Sequence, residues 1–174
     1  MKIVIVGGVA GGATAAARIR RLDEKAEIVV FERSGFISYA NCGLPYYIGG
    51  TIEDEGDLTL QTPESFYKRC RVGMNVHHEV TAIHPEKKTV TVKNLQNGEV
   101  FKEGYDKLIL SPGAKPVKPK FEGIDSNKIF TLRTVEDTLK IKKHIDENHP
   151  KSAVTVGGGF IGSEVPEKPR YLDT

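Results

Sequence analysis

Two groups of residues in this chain have types and spacing suited to chemistry: a cysteine loop and two glycine-rich turns. Cys42 lies in Ser38-Tyr39-Ala40-Asn41-Cys42-Gly43-Leu44-Pro45-Tyr46-Tyr47. A cysteine thiolate attacks disulfide sulfur. A short helix starting near residue 41 would turn its positive end toward that sulfur. Where two cysteines are spaced C-x4-C, both electrons can be stored in one internal disulfide; here Tyr47 stands at the second place. A single thiol must instead pair with an external sulfur or cycle through sulfenic acid. The other cysteine, Cys70, reads as a structural or incidental thiol. Two such cysteines make no disulfide framework.

The first glycine-rich turn is Gly7-Gly8-Val9-Ala10-Gly11-Gly12. A dinucleotide fingerprint needs one glycine for the tight turn, one for approach of backbone to pyrophosphate and one for close helix–strand packing. Gly7 and Gly12 take the first and third places, and Val9 takes the second. A strand expected over residues 3–6 precedes the turn, and an Ala- and Arg-rich helix over 13–22 follows it. A second strand over 27–32 ends on Glu32, next to Arg33. A carboxylate there can accept hydrogen bonds from ribose hydroxyls, and the helix start offers N–H groups to phosphate. Alone, such a turn would only pack a β-α-β unit, and Glu32 would be a solvated strand end. Their spacing together points to a dinucleotide. The second turn, Gly157, Gly159 and Gly162, completes G-x-G-x-x-G after a strand expected over 153–156. Pro166 and Pro169 should interrupt its helix, and no second strand follows to supply a ribose carboxylate. It is expected to bind no nucleotide and to be a remnant of a missing domain.

These groups must be positioned by the rest of the chain. Residues 36–60 read as loop with a short helix at 41–48. Thr62 and Pro63 start a helix to about 70. Residues 72–105 alternate apolar and polar, with Asn97-Gly98 as a hairpin turn, and suggest a small antiparallel meander. A buried strand over 107–110 leads into Ser111-Pro112-Gly113. Residues 115–120 are a Pro/Lys linker, and Thr134, with Asp137 three residues on, caps a helix to about 148. The 174 residues are 39% apolar and 28% charged, ordinary for a globular protein, and the net charge of +2 gives no argument for nucleic acid or a membrane surface. No apolar run approaches the roughly 18 residues of a membrane span, and the N-terminus is too short for a secretory signal. A cytoplasmic protein is expected. The five histidines and two cysteines show no metal-ligand spacing, so no metal site is assigned.

The turn over residues 7–12 and the loop Asn41-Cys42-Gly43-Leu44-Pro45-Tyr46 resemble coenzyme A-disulfide reductases, including forms fused to a rhodanese domain that act on CoA persulfides. NADH oxidases and peroxidases are more distantly similar. Leu110-Ser111-Pro112-Gly113 and Thr131-Leu132-Arg133-Thr134-Val135-Glu136-Asp137 are further family-like stretches. The resemblance covers about residues 1–164 and accounts for Val9. It implies an α/β fold: a Rossmann-like FAD-binding domain with a parallel sheet plus a small antiparallel β meander, then the truncated start of a second Rossmann, NAD-binding, domain. The expected limits are 1–113 for the FAD domain (meander at about 72–105), 114–150 for linker and helix, and 151–174 for the truncated domain with an atypical tail.

The resemblance also implies roles. Cys42 would be the redox nucleophile beside the flavin. Residues 7–12, Glu32, Arg33, Asn41, Val80 through its backbone, Ser111, Pro112 and Gly113 would meet FAD. Ser38 and Asn41 would contact CoA, with Thr14 and Arg21 along its path. Spacing supports that path independently, because Thr14, Arg18 and Arg21 share one helical face, and arginine grips phosphate bidentately. Cys70 stands where related enzymes place a lysine on CoA. In the whole family reaction NAD(P)H reduces FAD, which reduces a Cys42–CoA mixed disulfide; CoA disulfide or persulfide is the partner, and the family implies a homodimer. The expectation for this chain is a truncated gene product or gene model, without the dimerisation domain and inactive alone. An NADH oxidase or peroxidase, or a non-catalytic flavin-binding remnant, are the alternatives.

Overall fold

The computed structural model describes residues 1–167. In chain order the elements are β1 (Lys2–Val6), α1 (Ala10–Leu22), β2 (Glu27–Phe31), α2 (Leu44–Ile48), α3 (Pro63–Cys70), β3 (Gly73–Asn75), β4 (His78–His84), β5 (Thr89–Asn94), β6 (Val100–Gly104), β7 (Lys107–Leu110), α4 (Val135–Asn148) and α5 (Phe160–Glu167). The chain divides into two compact units. One comprises Met1–Tyr39 with Thr59–Gly113; the other comprises Ala40–Leu58 with the residues from Ala114 onward.

The first unit is built on a parallel sheet in the order β3-β2-β1-β7. β1 pairs with β2 from Lys2↔Glu27 to Val6↔Phe31, and with β7 from Ile3↔Lys107 to Val6↔Leu110. Because successive strand residues face opposite sides, Ile3 and Ile5 join Ile28, Val30, Val72 and Met74 in one core cluster, while Val4 and Phe31 join another. α1 covers the first side through Gly12, Ala13 and Ala16. Those small residues allow a close helix–sheet approach. β4, β5 and β6 form a separate antiparallel sheet whose Val90 and Val92 complete the second cluster. Gly98 turns the β5–β6 hairpin at φ +78.

Two differences from the sequence reading have local causes. β3 was expected in the meander but pairs in parallel with β2, Val29↔Gly73 to Phe31↔Asn75. Met74 is buried in the α1-side core, and that burial holds the segment at the sheet edge. The strand expected at 153–156 does not form. Residues 152–158 have no regular structure, and Val154 and Val156 stand in solvent, without the neighbours that a buried parallel strand needs.

In the second unit α2 packs with α4. Leu44, Ile48, Leu58, Val135 and Thr138 are buried. The start of α4 is set by a capping box: Thr134 accepts from the Asp137 N–H, and Asp137 accepts from the Thr134 N–H. α5 runs through Pro166 to Glu167, so the break expected at Pro166 is absent. A proline seven positions into a short helix removes one late N–H donor without stopping its start. Pro169 lies outside the described residues.

Candidate functional site

The glycine turn is built by contact as much as by conformation. Gly7 has φ +98, where a side chain is strained. A Cβ on it would overlap the carbonyl oxygen of Ser111, and a Cβ on Gly12 would overlap that of Gly7. Gly8 has the side chains of Glu32 and Ile37 about its Cβ position, each at 3.0 Å. Backbone bonds close the frame: Gly7 N–H to Phe31 O at 2.8 Å and Ser111 N–H to Val6 O at 2.8 Å. α1 starts directly after Val9, which supplies no side-chain cap, and has no acidic residue in its first turn. Its first N–H groups and its positive end are therefore suited to an anion.

Glu32 is 8% exposed. Its Oε2 accepts from the Gly8 N–H at 2.7 Å and its Oε1 from the Ser34 N–H at 2.8 Å. The carboxylate thus ties the glycine turn to the end of β2, a role its spacing did not reveal. Each oxygen keeps a further lone pair. Beside it lies a cleft of about 120 Å³ lined by Val6, Gly7, Phe31, Glu32, Arg33, His78, Glu79, Val80 and Pro112. Five of the expected cofactor residues, Gly7, Glu32, Arg33, Val80 and Pro112, therefore meet at one place. Val80 sits where the β4–β5 register shifts, between Val80 and Ala82. Such a bulge frees backbone groups from the ladder. His78 and Glu79 belong to this lining and were missed, because no motif marks them. His78 is held by Nδ1 against Val76 O at 2.7 Å and packs with Phe31 and Phe101. The buried carboxylate, the uncapped helix start and the glycine frame are what the adenosine and pyrophosphate of FAD require, so these residues fit that group.

Ser38 is in the same unit and has φ +49, rare for a non-glycine residue. Its N–H reaches Gly8 O at 3.3 Å, and its carbonyl accepts from the Leu60 N–H at 2.9 Å. Thr14, Arg18 and Arg21 are all exposed on α1. Arg20, on the same helix, is used differently. Its Nε donates to Cys70 O at 2.9 Å, its Nη2 to Arg71 O at 3.0 Å, and its Nη1 to Glu24 O at 2.6 Å. It clamps α1 to the end of α3. Cys70 is half-buried against the core.

Asn41 and Cys42 belong to the second unit. A tight 3-10 turn over Asn41–Gly43 runs straight into α2, so Cys42 lies in the first turn of a short helical segment, exposed and unpaired with Cys70. Asn41 Oδ1 accepts from Arg133 Nη1 at 2.8 Å. Arg133, part of a family-like stretch, carried no assigned role in the sequence reading. Gly157 has φ +116, and a Cβ on Gly162 would overlap Gly157 O, the geometry of the Gly7–Gly12 pair. Gly159 follows the same exposed turn into α5. No group of three or more His, Cys, Asp or Glu among the described residues is placed to hold a metal ion. None of the helices among them is long and apolar enough to cross a membrane.

Comparison with known proteins bears on both groups. Residues 1–168 match the family model for pyridine nucleotide-disulphide oxidoreductases. The chain is 48% identical over 166 residues to coenzyme A disulfide reductase of Staphylococcus haemolyticus, which covers 95% of this chain and 37% of the relative. The structure of reduced Bacillus anthracis CoADR-RHD matches 98% of this chain and 31% of its own, with a TM-score of 0.96 and 53% identity. The NAD-dependent persulfide reductase of A. fulgidus matches 99% of this chain and 32% of its own, with a TM-score of 0.93 and 36% identity. The chain thus spans about a third of the length of these relatives.

Proposed function

The chain belongs to the pyridine nucleotide-disulphide oxidoreductase family, and on that premise we propose that it is the FAD-binding portion of an NAD(P)H-dependent reductase of CoA disulfide or CoA persulfide, with Cys42 as its nucleophile. The family uses FAD and NAD(P)H. When bound, FAD supplies a two-electron relay between the nicotinamide and sulfur. The observation that carries the reading is the pairing of two features in one chain: Glu32, buried beside an uncapped helix start, and an exposed single cysteine in the first turn of a helical segment.

In this reading Glu32 holds the ribose hydroxyls by its remaining lone pairs, and the start of α1 holds the pyrophosphate. Gly8 to Gly12, Arg33, Val80 and Ser111 to Gly113 line the rest of the FAD path. Thr14, Arg18 and Arg21 are the residues proposed for the phosphates of CoA, and Ser38 and Asn41 those proposed for its pantetheine end. Cys42 Sγ attacks one sulfur of CoA–S–S–CoA, forming a Cys42–S–S–CoA mixed disulfide and releasing one CoA thiolate, which takes a proton. Two electrons and a proton return the second CoA thiol and the Cys42 thiolate. A reducing cytoplasm suits a reactive lone thiol. For these 174 residues alone we infer FAD binding without turnover, because the second glycine turn has no strand to seat a nucleotide.

Exposure of the purified chain to CoA disulfide tests the nucleophile. Cys42 should gain the mass of one CoA, Cys42→Ser should gain none, and Cys70→Ser should label like the parent. Labelling at Cys70, or at neither thiol, would reject the reading. An absorbance spectrum with FAD, before and after NADH, tests the rest: a bound but unbleached flavin is expected. Consumption of oxygen by a longer protein carrying Cys42→Ser, at the parent's rate, would favour the oxidase alternative.

A further inference from the structure

The turn that carries Cys42 is tied to a residue 92 positions away. Arg133 Nη1 donates to Asn41 Oδ1 at 2.8 Å, and Asn41 is the residue immediately before the thiol. Arg133 is itself well held. Its N–H donates to Asp137 Oδ2 at 3.0 Å, inside the capping box that starts α4. α4 packs with α2, the helix into which the Cys42 turn runs, and Val135, Thr138, Leu44 and Ile48 are all buried. A guanidinium has no acceptor. The end of the Asn41 amide that faces it must be the carbonyl oxygen, and the NH2, with its two donors, is turned to the other side. Asn41 and Cys42 are both exposed, so those donors are open to solvent on the residue that immediately precedes the thiol.

We propose that Arg133 is a positioning residue that sets disulfide selectivity: acting through Asn41, it presents the amide NH2 next to Cys42 as a donor for substrates with an amide carbonyl close to the sulfur. The pantetheine arm has such a carbonyl, separated from its sulfur by a short N–CH2–CH2 link. A plain alkyl disulfide has none. The inference rests on Cys42 being the nucleophile. It adds that discrimination begins at the pantetheine amide, before any phosphate is read.

The test uses the full 174-residue chain with Cys70→Ser, so that only Cys42 reacts. Mixed-disulfide formation is followed by mass with three probes: CoA disulfide, pantethine, which lacks the nucleotide phosphates, and bis(2-hydroxyethyl) disulfide. Glutamine can meet Asn41 with either end of its amide, so Arg133→Gln should release the orientation. Its reaction with pantethine and CoA disulfide should slow by about three- to tenfold, the size of one lost oriented hydrogen bond. Its reaction with the hydroxyethyl disulfide should stay within about twofold. Arg133→Lys, which only donates, should restore most of the difference. Equal slowing of all three probes, or of none, overturns the proposal. If Arg133→Gln does not fold, Arg133→Ala decides by the same readout: selectivity equal to the parent's overturns the proposal, and a pantethine preference reduced relative to the hydroxyethyl disulfide supports it. A parent chain that labels at Cys42 while Arg133→Gln keeps its selectivity rejects this inference alone. A parent that labels with no probe rejects the nucleophile reading, and this inference falls with it.

Discussion

Glu32 holds the fold at the glycine turn, and the proposed function gives it a second role. Its two oxygens already hold the Gly8 and Ser34 N–H groups, and in the proposed function the same oxygens receive ribose hydroxyls. Removing the carboxylate therefore acts on the fold before any cofactor is involved. Glu32→Ala should lower the free energy of unfolding of the cofactor-free chain by about 2–4 kcal/mol, because two backbone donors lose a charged acceptor. Urea denaturation measures this, and a loss below about 1 kcal/mol would show that the carboxylate does not hold the turn. Spacing made Glu32 a candidate ligand residue, since a carboxylate closing the second strand is part of the fingerprint. Its structural bonds were not legible, because they depend on where the chain goes at Gly8. The arginines of α1 show the same split. Their helical phase grouped Arg18 and Arg21 correctly on an exposed face, but nothing local revealed that Arg20 would be bound to carbonyls at the end of α3.

Among the elements, β1 is stitched at its first residue to both of its surroundings. Lys2 Nζ is 2.6 Å from Glu103 on β6 and 2.7 Å from Glu27 on β2, and the Lys2 N–H donates to Asp106 at 2.6 Å. The hydrogen bond to Glu103, and then that to Glu27, hold the Lys2 ammonium above the ordinary value of 10.5 against a smaller opposing cost of burial. A cation whose folded value is raised contributes stability below its unfolded value and loses it as pH rises through the folded one. The gap in thermal midpoint between the parent and Lys2→Met should therefore be steady around neutral pH and close above about pH 10.5. With the side chain 31% exposed, the gap should correspond to less than about 1 kcal/mol. A gap that widens at alkaline pH would contradict the assignment. Elements whose start is written in neighbouring residues, such as α3 at Thr62 and α4 at Thr134, could be read directly. β3 could not, because its three residues carry too little pattern to choose between two sheets.

For the molecule as a whole, the two units differ in how well they cover their apolar residues. The first has two clusters around its parallel sheet. Before and at the start of α5, Val156 and Phe160 are 90% and 91% exposed. Apolar surface of that kind binds hydrophobic dyes and promotes association. A Val156→Thr, Phe160→Ser variant should bind markedly less anilinonaphthalene sulfonate and keep the parent's thermal midpoint. A lowered midpoint would mean that these residues are packed rather than open.

The sequence by itself determined the β-α-β start, the glycine frame, the caps of α3 and α4 and the loop around Cys42. Each of these depends on residues within about 30 positions of one another and on steric rules that hold wherever the chain goes. Tertiary structure alone decided which sheet β3 joins, why residues 152–158 form no strand, what Arg20 and Glu32 hold, and that Arg133 reaches Asn41. Those outcomes turn on which distant groups arrive to accept a hydrogen bond or to cover an apolar side chain, and local pattern carries no record of that arrival.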